Sequence, residues 1–235
     1  VEVTQAFKYR LAVSAPQEQA LWSHVGGSRF AFNHLLGLVK ENWAAVRAEK
    51  EASGDGSHAT EYVSTSHFGL LYLWAGVRDT AAPWWGENSA QAYNDAAQRL
   101  AKAMTNHRAG RAGFPRFKRK AQTGSVKFSG TSFRLEGRHH VRLSRIGLVK
   151  TYESMRKLAR RVENGTARIV TATVKRESGG WFVSFTVVVQ RPDPTPVRTP
   201  EDGGKVIGLD VGLASLVVGA SPDGELLVHA GNPRP

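Results

Sequence analysis

Asp210 stands in the run Lys205-Val206-Ile207-Gly208-Leu209-Asp210-Val211-Gly212-Leu213-Ala214-Ser215. A glycine lies two residues away on each side. The apolar residues read as a strand, and the glycines leave the backbone around the carboxylate bare. A carboxylate fixed on a strand with open space beside it suits a metal ion and an approaching phosphate. A buried carboxylate without a partner is costly, so it takes a cation or a hydrogen-bond donor. A plain hydrogen bond to a neighbouring strand end is the competing reading. Leu216, Val217 and Val218 continue the apolar run, Ser221-Pro222-Asp223-Gly224 signals a turn, and Glu225 to His229 reads as a returning strand. Asp210 is therefore expected in a mostly buried β-hairpin.

A second group of residues suits the binding of phosphates. In Gly113-Phe114-Pro115-Arg116-Phe117-Lys118-Arg119-Lys120, Pro115 stiffens the chain, Arg116, Lys118, Arg119 and Lys120 present charge, and the phenylalanines can anchor the segment or stack on bases. The surrounding charge is concentrated. Between Arg108 and Arg161 there are 16 Lys and Arg against only Glu136 and Glu153, whereas the rest of the chain holds 16 Lys and Arg and 18 Asp and Glu. The whole net charge of +12 thus comes from one stretch of 54 residues. With Phe114, Phe117, Phe128, Phe133 and Tyr152 interleaved, it is the footprint of a nucleic-acid surface. Lys127, Arg134, Arg142 and Lys150 extend the set of candidate contacts. The stretch reads mainly as loops and strands, which argues against a basic amphipathic helix on a membrane.

These groups need a scaffold, and 235 residues suffice for one large domain or two to three small ones. No apolar run approaches the roughly 20 residues that span a bilayer. The chain contains no cysteine, so it holds no disulfide and no thiolate zinc site, and a cytoplasmic setting fits. It starts at Val1 without an initiator methionine, and it is expected to be part of a longer protein.

Val3, Phe7, Tyr9, Leu11 and Val13 share one face of a half-buried strand. Ser14-Ala15-Pro16-Gln17 reads as a capping box opening a helix that Gly26-Gly27 should break, with Ser28 capping the next. Phe32, Leu35, Leu36, Val39, Trp43 and Val46 then form the stripe of a long helix to about Ala52. Ser66 to Val77 and Ser89 to His107 are two more helices. Short strands follow at Val126–Phe128, Ser132–Leu135, Val141–Leu143 and Leu148–Tyr152, then a hairpin of Ala167–Lys175 and Trp181–Val189. Gln190 to Gly204, rich in proline, reads as a linker. The first strand has no partner nearby in sequence, and an isolated strand is unstable. It must pair with the later β segment, which makes the helices an insertion.

Four motifs occur in one order: Ser28-Arg29-Phe30-Ala31-Phe32-Asn33-His34, the Gly-Phe-Pro-Arg-Phe-Lys block at 113–118, Ile146-Gly147-Leu148-Val149-Lys150, and Gly208-Leu209-Asp210-Val211-Gly212. Together they resemble the TnpB (OrfB) nucleases of insertion sequences and the compact type V CRISPR effectors related to them. The resemblance covers essentially the whole chain and implies an α+β multidomain fold. Residues 1–13 and 113–191 would form a barrel-like β wedge domain, 14–112 an inserted helical recognition domain, 192–204 a linker and 205–235 the first strands of an RNase H-like RuvC domain. Asp210 matches the first catalytic carboxylate, one ligand of a two-Mg²⁺ site whose other carboxylates lie beyond Pro235, as does the family's zinc element.

The resemblance also implies the partners: a guide RNA, double-stranded target DNA and the RNA–DNA heteroduplex, inside a bacterial or archaeal cytoplasm. Gln91, Asn94 and the Ser129-Gly130-Thr131 loop are the candidate readers of a short DNA motif. The leading expectation is an RNA-guided DNA endonuclease that this chain alone does not complete. The alternatives are an RNA-guided DNA-binding protein or repressor that never cuts, and an ATP-binding protein of the actin and sugar-kinase class. The third predicts neutral surroundings for Asp210, at odds with the basic stretch upstream.

Overall fold

The computed structural model describes residues 1–120, 123–191, 207–212 and 215–231. They fall into two compact units, Glu2–Gln190 and a smaller one of Val1 with Arg191–Pro235.

The first unit is built on one seven-stranded sheet. Its strands are β1 (Glu2–Ala12), β2 (Gly124–Ser129), β3 (Phe133–Glu136), β4 (His140–Leu143), β5 (Gly147–Thr151), β6 (Ala167–Glu177) and β7 (Gly180–Gln190). The order is β2-β6-β7-β1-β5-β4-β3, and every described pairing is antiparallel. β1 runs along β7 from Glu2↔Gln190 to Leu11↔Trp181, and its other edge meets β5 at Leu11↔Thr151. The first strand therefore finds its partners in the later β segment, as its isolation in sequence requires. A 3-10 turn, Gly130–Ser132, joins β2 to β3, the two ends of that order. Buried and half-buried residues alternate along β7, and Val183, Phe185, Val187 and Val189 point into the core. The rings of Phe133 on β3 and Phe185 on β7 approach to 6.1 Å, so the sheet curls over its own core.

Between β1 and β2 come α1 (Ala15–Ser53), α2 (His67–Ala81) and α3 (Ala90–Arg108). The capping box at Ser14 forms: the Gln17 amide donates to Ser14 Oγ at 3.5 Å and the Ser14 amide to Gln17 Oε1 at 3.0 Å. The helices have their own core of Phe32, Leu35, Leu36, Val39, Leu70, Trp74, Tyr93, Leu100 and Met104. The foot of α1 belongs to the sheet core instead, through Leu21 and Val25.

Two expectations are corrected here. Gly26-Gly27 does not break the helix, and α1 runs uninterrupted for 39 residues. Each interior glycine costs roughly 1 kcal/mol of helix propensity, which packing overrides here. A Cβ on Gly27 would lie 3.1 Å from Asn88 Nδ2 and 3.4 Å from the Tyr93 hydroxyl, so the glycine permits close contact with the segment entering α3. Ser28 is buried in the helix instead of capping it. One turn earlier, His24 fastens the same junction. Its Nδ1 donates to the Ala20 carbonyl at 2.7 Å, and its Nε2 accepts from the Ser89 amide, at the N-cap of α3, at 2.9 Å. Burial lowers its pKa and keeps the ring neutral, as accepting at Nε2 requires.

The second correction is a helix the sequence reading lacked. α4 (Arg156–Glu163) is short, basic and amphipathic. Leu158 is buried, while Arg156, Lys157, Arg160 and Arg161 face solvent.

The smaller unit carries β8 (Gly208–Asp210), β9 (Ser215–Ala220) and β10 (Leu226–Gly231) as a sheet in the order β10-β9-β8. Gly224, at φ 85°, makes the turn between β9 and β10, as its sequence signals. The 192–204 linker, with residues 205–206, lies outside the described residues.

Candidate nucleic-acid interface

Arg116, Lys118, Arg119 and Lys120 lie on an irregular segment that side chains of α1 hold in place. The Lys118 amide donates to Asn33 Oδ1 at 2.7 Å, and the Asn33 amide donates to the Lys118 carbonyl at 2.9 Å. One asparagine thus satisfies both backbone groups of a residue that has no strand partner. Phe114 packs edge-on against Trp43 and His107, with ring centroids 5.6 and 5.2 Å away. Lys118 Nζ stands 3.6 Å from the centroid of Phe32, and Lys40 Nζ stands 5.0 Å from that of Phe117. Arg116, Arg119 and Lys120 are left exposed on this fixed backbone. Asn33→Ala is expected to cost about 1–3 kcal/mol by orphaning the two Lys118 groups. Amide hydrogen exchange at Lys118 should speed up while exchange in β6 and β7 stays slow.

A cavity of about 250 Å³ opens beside this segment. Arg29 of α1, Arg99 of α3, Lys118, Arg119 and Lys175 of β6 all reach its lining. Gly124 brings α1 close along one wall, since a Cβ there would fall 2.3 Å from Val25 Cγ1. Arg99 is positioned by the buried Asp95 at 2.6 Å and by Ser125 Oγ at 3.1 Å. Burial, reinforced by the neighbouring Arg99, pulls the Lys118 ammonium down to about 8.

Gln91 and Asn94 of α3 and the distant Ser129 meet in one hydrogen-bonded chain, in which Asn94 Nδ2 donates to Gln91 Oε1 at 3.5 Å. Ser129 Oγ donates to Gln91 Oε1 at 2.8 Å, and His67 Nε2 donates to Asn94 Oδ1 at 2.8 Å. Gly130 and Thr131 are exposed on the turn beside them. The remaining candidates divide. Lys127 is engaged by Gln98 and lies 3.9 Å from Asp95. Arg134 and Arg142, opposite each other on β3 and β4, share Glu136, whose carboxyl those two arginines hold down at about 2. Both arginines are therefore partly neutralised. Lys150 is exposed on β5.

Residues 3–48 match the family model HTH_OrfB_IS605, described as a helix-turn-helix domain. In the structure this range holds β1 and most of the unbroken α1. A Mycobacterium tuberculosis protein named "Putative RNA-guided DNA endonuclease Rv2885c" is 33% identical over 248 residues, an alignment covering 98% of this chain and 51% of that protein. The chain is thus similar to the TnpB-like (OrfB) proteins over nearly its whole length. A more distant relative, "Putative RNA-guided DNA endonuclease InsQ" of Escherichia coli, is 26% identical over 213 residues, covering 90% of this chain and 46% of InsQ. The chain thus spans about half the length of the curated relatives it matches. A solved Cas12f1-sgRNA-target DNA complex aligns over 98% of this chain and 66% of its own with a TM-score of 0.38 and 11% identity, a likeness too distant to argue from.

The family motif around Ser28–His34 now has a physical account. Arg29 enters the cavity, Phe32 carries Lys118, and Asn33 holds the basic segment. The sequence reading quoted that motif but missed Arg29 as a binding candidate, along with Arg99, Lys175 and the cations of α4. Arg29 had one signal, its place four residues before Asn33 on one helix face. Arg99 and Lys175 had none, because they reach the cavity only through tertiary packing. Among the described residues, no helix is long and apolar enough to cross a membrane.

Asp210 ends β8 opposite Val218 of β9. It is exposed, as are Gly208, Leu209, Val211 and Gly212, which corrects the expectation of a mostly buried hairpin. The physical reason is that the described residues of the smaller unit form this sheet alone, with no second layer of their own on it. Leu209 is 67% and Val211 70% exposed. Among the described residues no three His, Asp or Glu gather as a metal site. Asp210, on a strand end with bare backbone beside it, fits as one carboxylate ligand of a divalent cation.

Proposed function

We propose that the protein is an RNA-guided DNA endonuclease in which the residues of the first unit bind and position nucleic acid and Asp210 contributes to the cutting site. The curled sheet is read as the wedge domain, the helices between β1 and β2 as the recognition domain, and the strands from β8 onward as the start of a RuvC domain. The observation that carries the reading is the basic segment at 113–120. Its backbone is pinned to α1 by Asn33, while Arg116, Arg119 and Lys120 stand in solvent. Cations on a fixed backbone suit a repeating phosphate chain, and they position a strand without reading its sequence. Gln91 and Ser129, joined to each other beside the exposed Gly130 and Thr131, are suited to reading a base edge. A divalent cation held in part by Asp210 would activate water and stabilise the leaving oxygen.

The test is whether the intact protein, purified from cells that carry its own locus, retains RNA. The expected result is bound RNA of defined sequence, released as salt rises with a linear dependence of log affinity on log salt concentration. Recovery of no RNA, or release insensitive to salt, overturns the proposal.

A further inference from the structure

The cavity beside the basic segment asks for more than general charge. Five cationic side chains from α1, α3, β6 and the segment converge on it, and no carboxylate lines it. Asp95 touches Arg99 from behind, and Lys175 lies 3.5 Å from Glu177. Among the described residues no carboxylate pairs with Arg29 or Arg119. Like charges brought together repel, and a fold keeps such a group only where something offsets the cost. Ser28 and Ser125 add hydroxyls to the same lining, giving neutral donors to an oxyanion.

We propose that this cavity is a receptor for one phosphodiester group of a nucleic-acid backbone, held by Arg29, Arg99, Arg119 and Lys175 with Lys118 at its wall. The inference rests on the nucleic-acid reading above and gives it a specific seat. The volume of about 250 Å³ accommodates a phosphodiester with its flanking sugar atoms, and Arg116 and Lys120 extend the positive track outside. The source of the phosphate, RNA or DNA, is settled by the ligand that responds.

The cavity has its own signature in pH. Lys118, held at about 8, is largely protonated below that value and loses its proton above it. A phosphate beside it favours the charged form and raises the pKa of the complex. Binding above about pH 8 must therefore take up a proton, and affinity falls by up to about tenfold per pH unit there. Lys118→Arg keeps the charge at every accessible pH and should flatten that profile.

Binding of the intact protein to a short single-stranded RNA and to a DNA duplex of the same sequence is measured against salt and pH. The variants are Arg29→Gln, Arg119→Gln and Lys118→Arg, with Arg47→Gln, exposed towards the far end of α1, as control. On the responding ligand, Arg29→Gln and Arg119→Gln should each reduce the salt slope by about 0.9 for duplex DNA or about 0.7 for single-stranded RNA. Neither should lower the Tm, because each relieves repulsion. The wild-type affinity should decline above about pH 8, and only Lys118→Arg should remove the decline. Unchanged slopes on both ligands, or a pH profile that Lys118→Arg leaves intact, would overturn the cavity assignment while the nucleic-acid reading stands. A wild-type protein that binds neither ligand in a salt-sensitive way overturns both.

Discussion

Asp210→Asn in the intact protein should lower divalent-metal-dependent cleavage of target DNA by about a thousandfold, the equivalent of about 4 kcal/mol in the barrier. The substitution keeps the size of the side chain and removes the charge that holds a cation. Asp210 is exposed at the end of β8, so its folding role is small, and surface changes of this kind usually stay within about 0.5 kcal/mol. RNA and DNA binding should therefore stay within about twofold of wild type. The exposure makes the experiment cleaner than the sequence promised, because a buried aspartate would have confounded chemistry with stability. Cleavage rates and binding constants on the same preparations check it. A variant that still cuts at the wild-type rate removes Asp210 from the site. A wild type that binds guided targets without cutting assigns the protein to the non-cleaving alternative.

Phe185→Ala should destabilise the first unit by about 3–5 kcal/mol. Phe185 is fully buried on β7, directly opposite Phe7 on β1. Its ring also contacts Tyr9 and Phe133, each with centroids 6.1 Å away. Removing it opens a void where the first strand, the long hairpin and the short β3 meet. Nothing nearby can fill it without moving β1, which is hydrogen-bonded on both edges. Denaturant unfolding measures the loss directly. The same variant should lose nucleic-acid affinity only in step with its unfolded fraction, since no basic side chain is changed. Phe185→Leu, which retains most of the volume, should recover most of the stability.

What could be read from the chain depended on the range of the signal. The alternation in β1 and the capping box at Ser14 are local, and both elements formed where their residues indicated. That β1 needed a distant partner followed from its isolation, and β7 supplies it. Gly26-Gly27 misled because local propensity argues for a break. The contact of Gly27 with Asn88 and Tyr93, which decides otherwise, is invisible before folding. α4 was hidden by the basic residues that outnumber its buried Leu158 and Ala159. The basic block at 113–120 was legible as charge, but the asparagine that fixes it lies 85 residues away. The Gly-x-Asp-x-Gly pattern marked Asp210 correctly as a strand residue. It carried no information on burial, which depends on what covers the sheet.

The charge count also needed the fold for its interpretation. Sixteen cations between Arg108 and Arg161 suggest one surface. In the structure ten of them divide among the pinned segment, the pair that shares Glu136 and the solvent face of α4. Arg29, Arg99 and Lys175, outside that stretch, complete the cavity. Linear charge density pointed to a nucleic-acid partner, and tertiary packing selects which cations stand free to meet one.

The most direct test of RNA-guided cutting is to reprogram the guide. The intact protein is loaded with RNAs that differ only in the guide segment and is given a DNA mixture containing a match to each. Cleavage should move with the guide, to the matching DNA alone, and vanish when the RNA is omitted. Cleavage at the same place whatever the guide, or cleavage without RNA, would contradict the account.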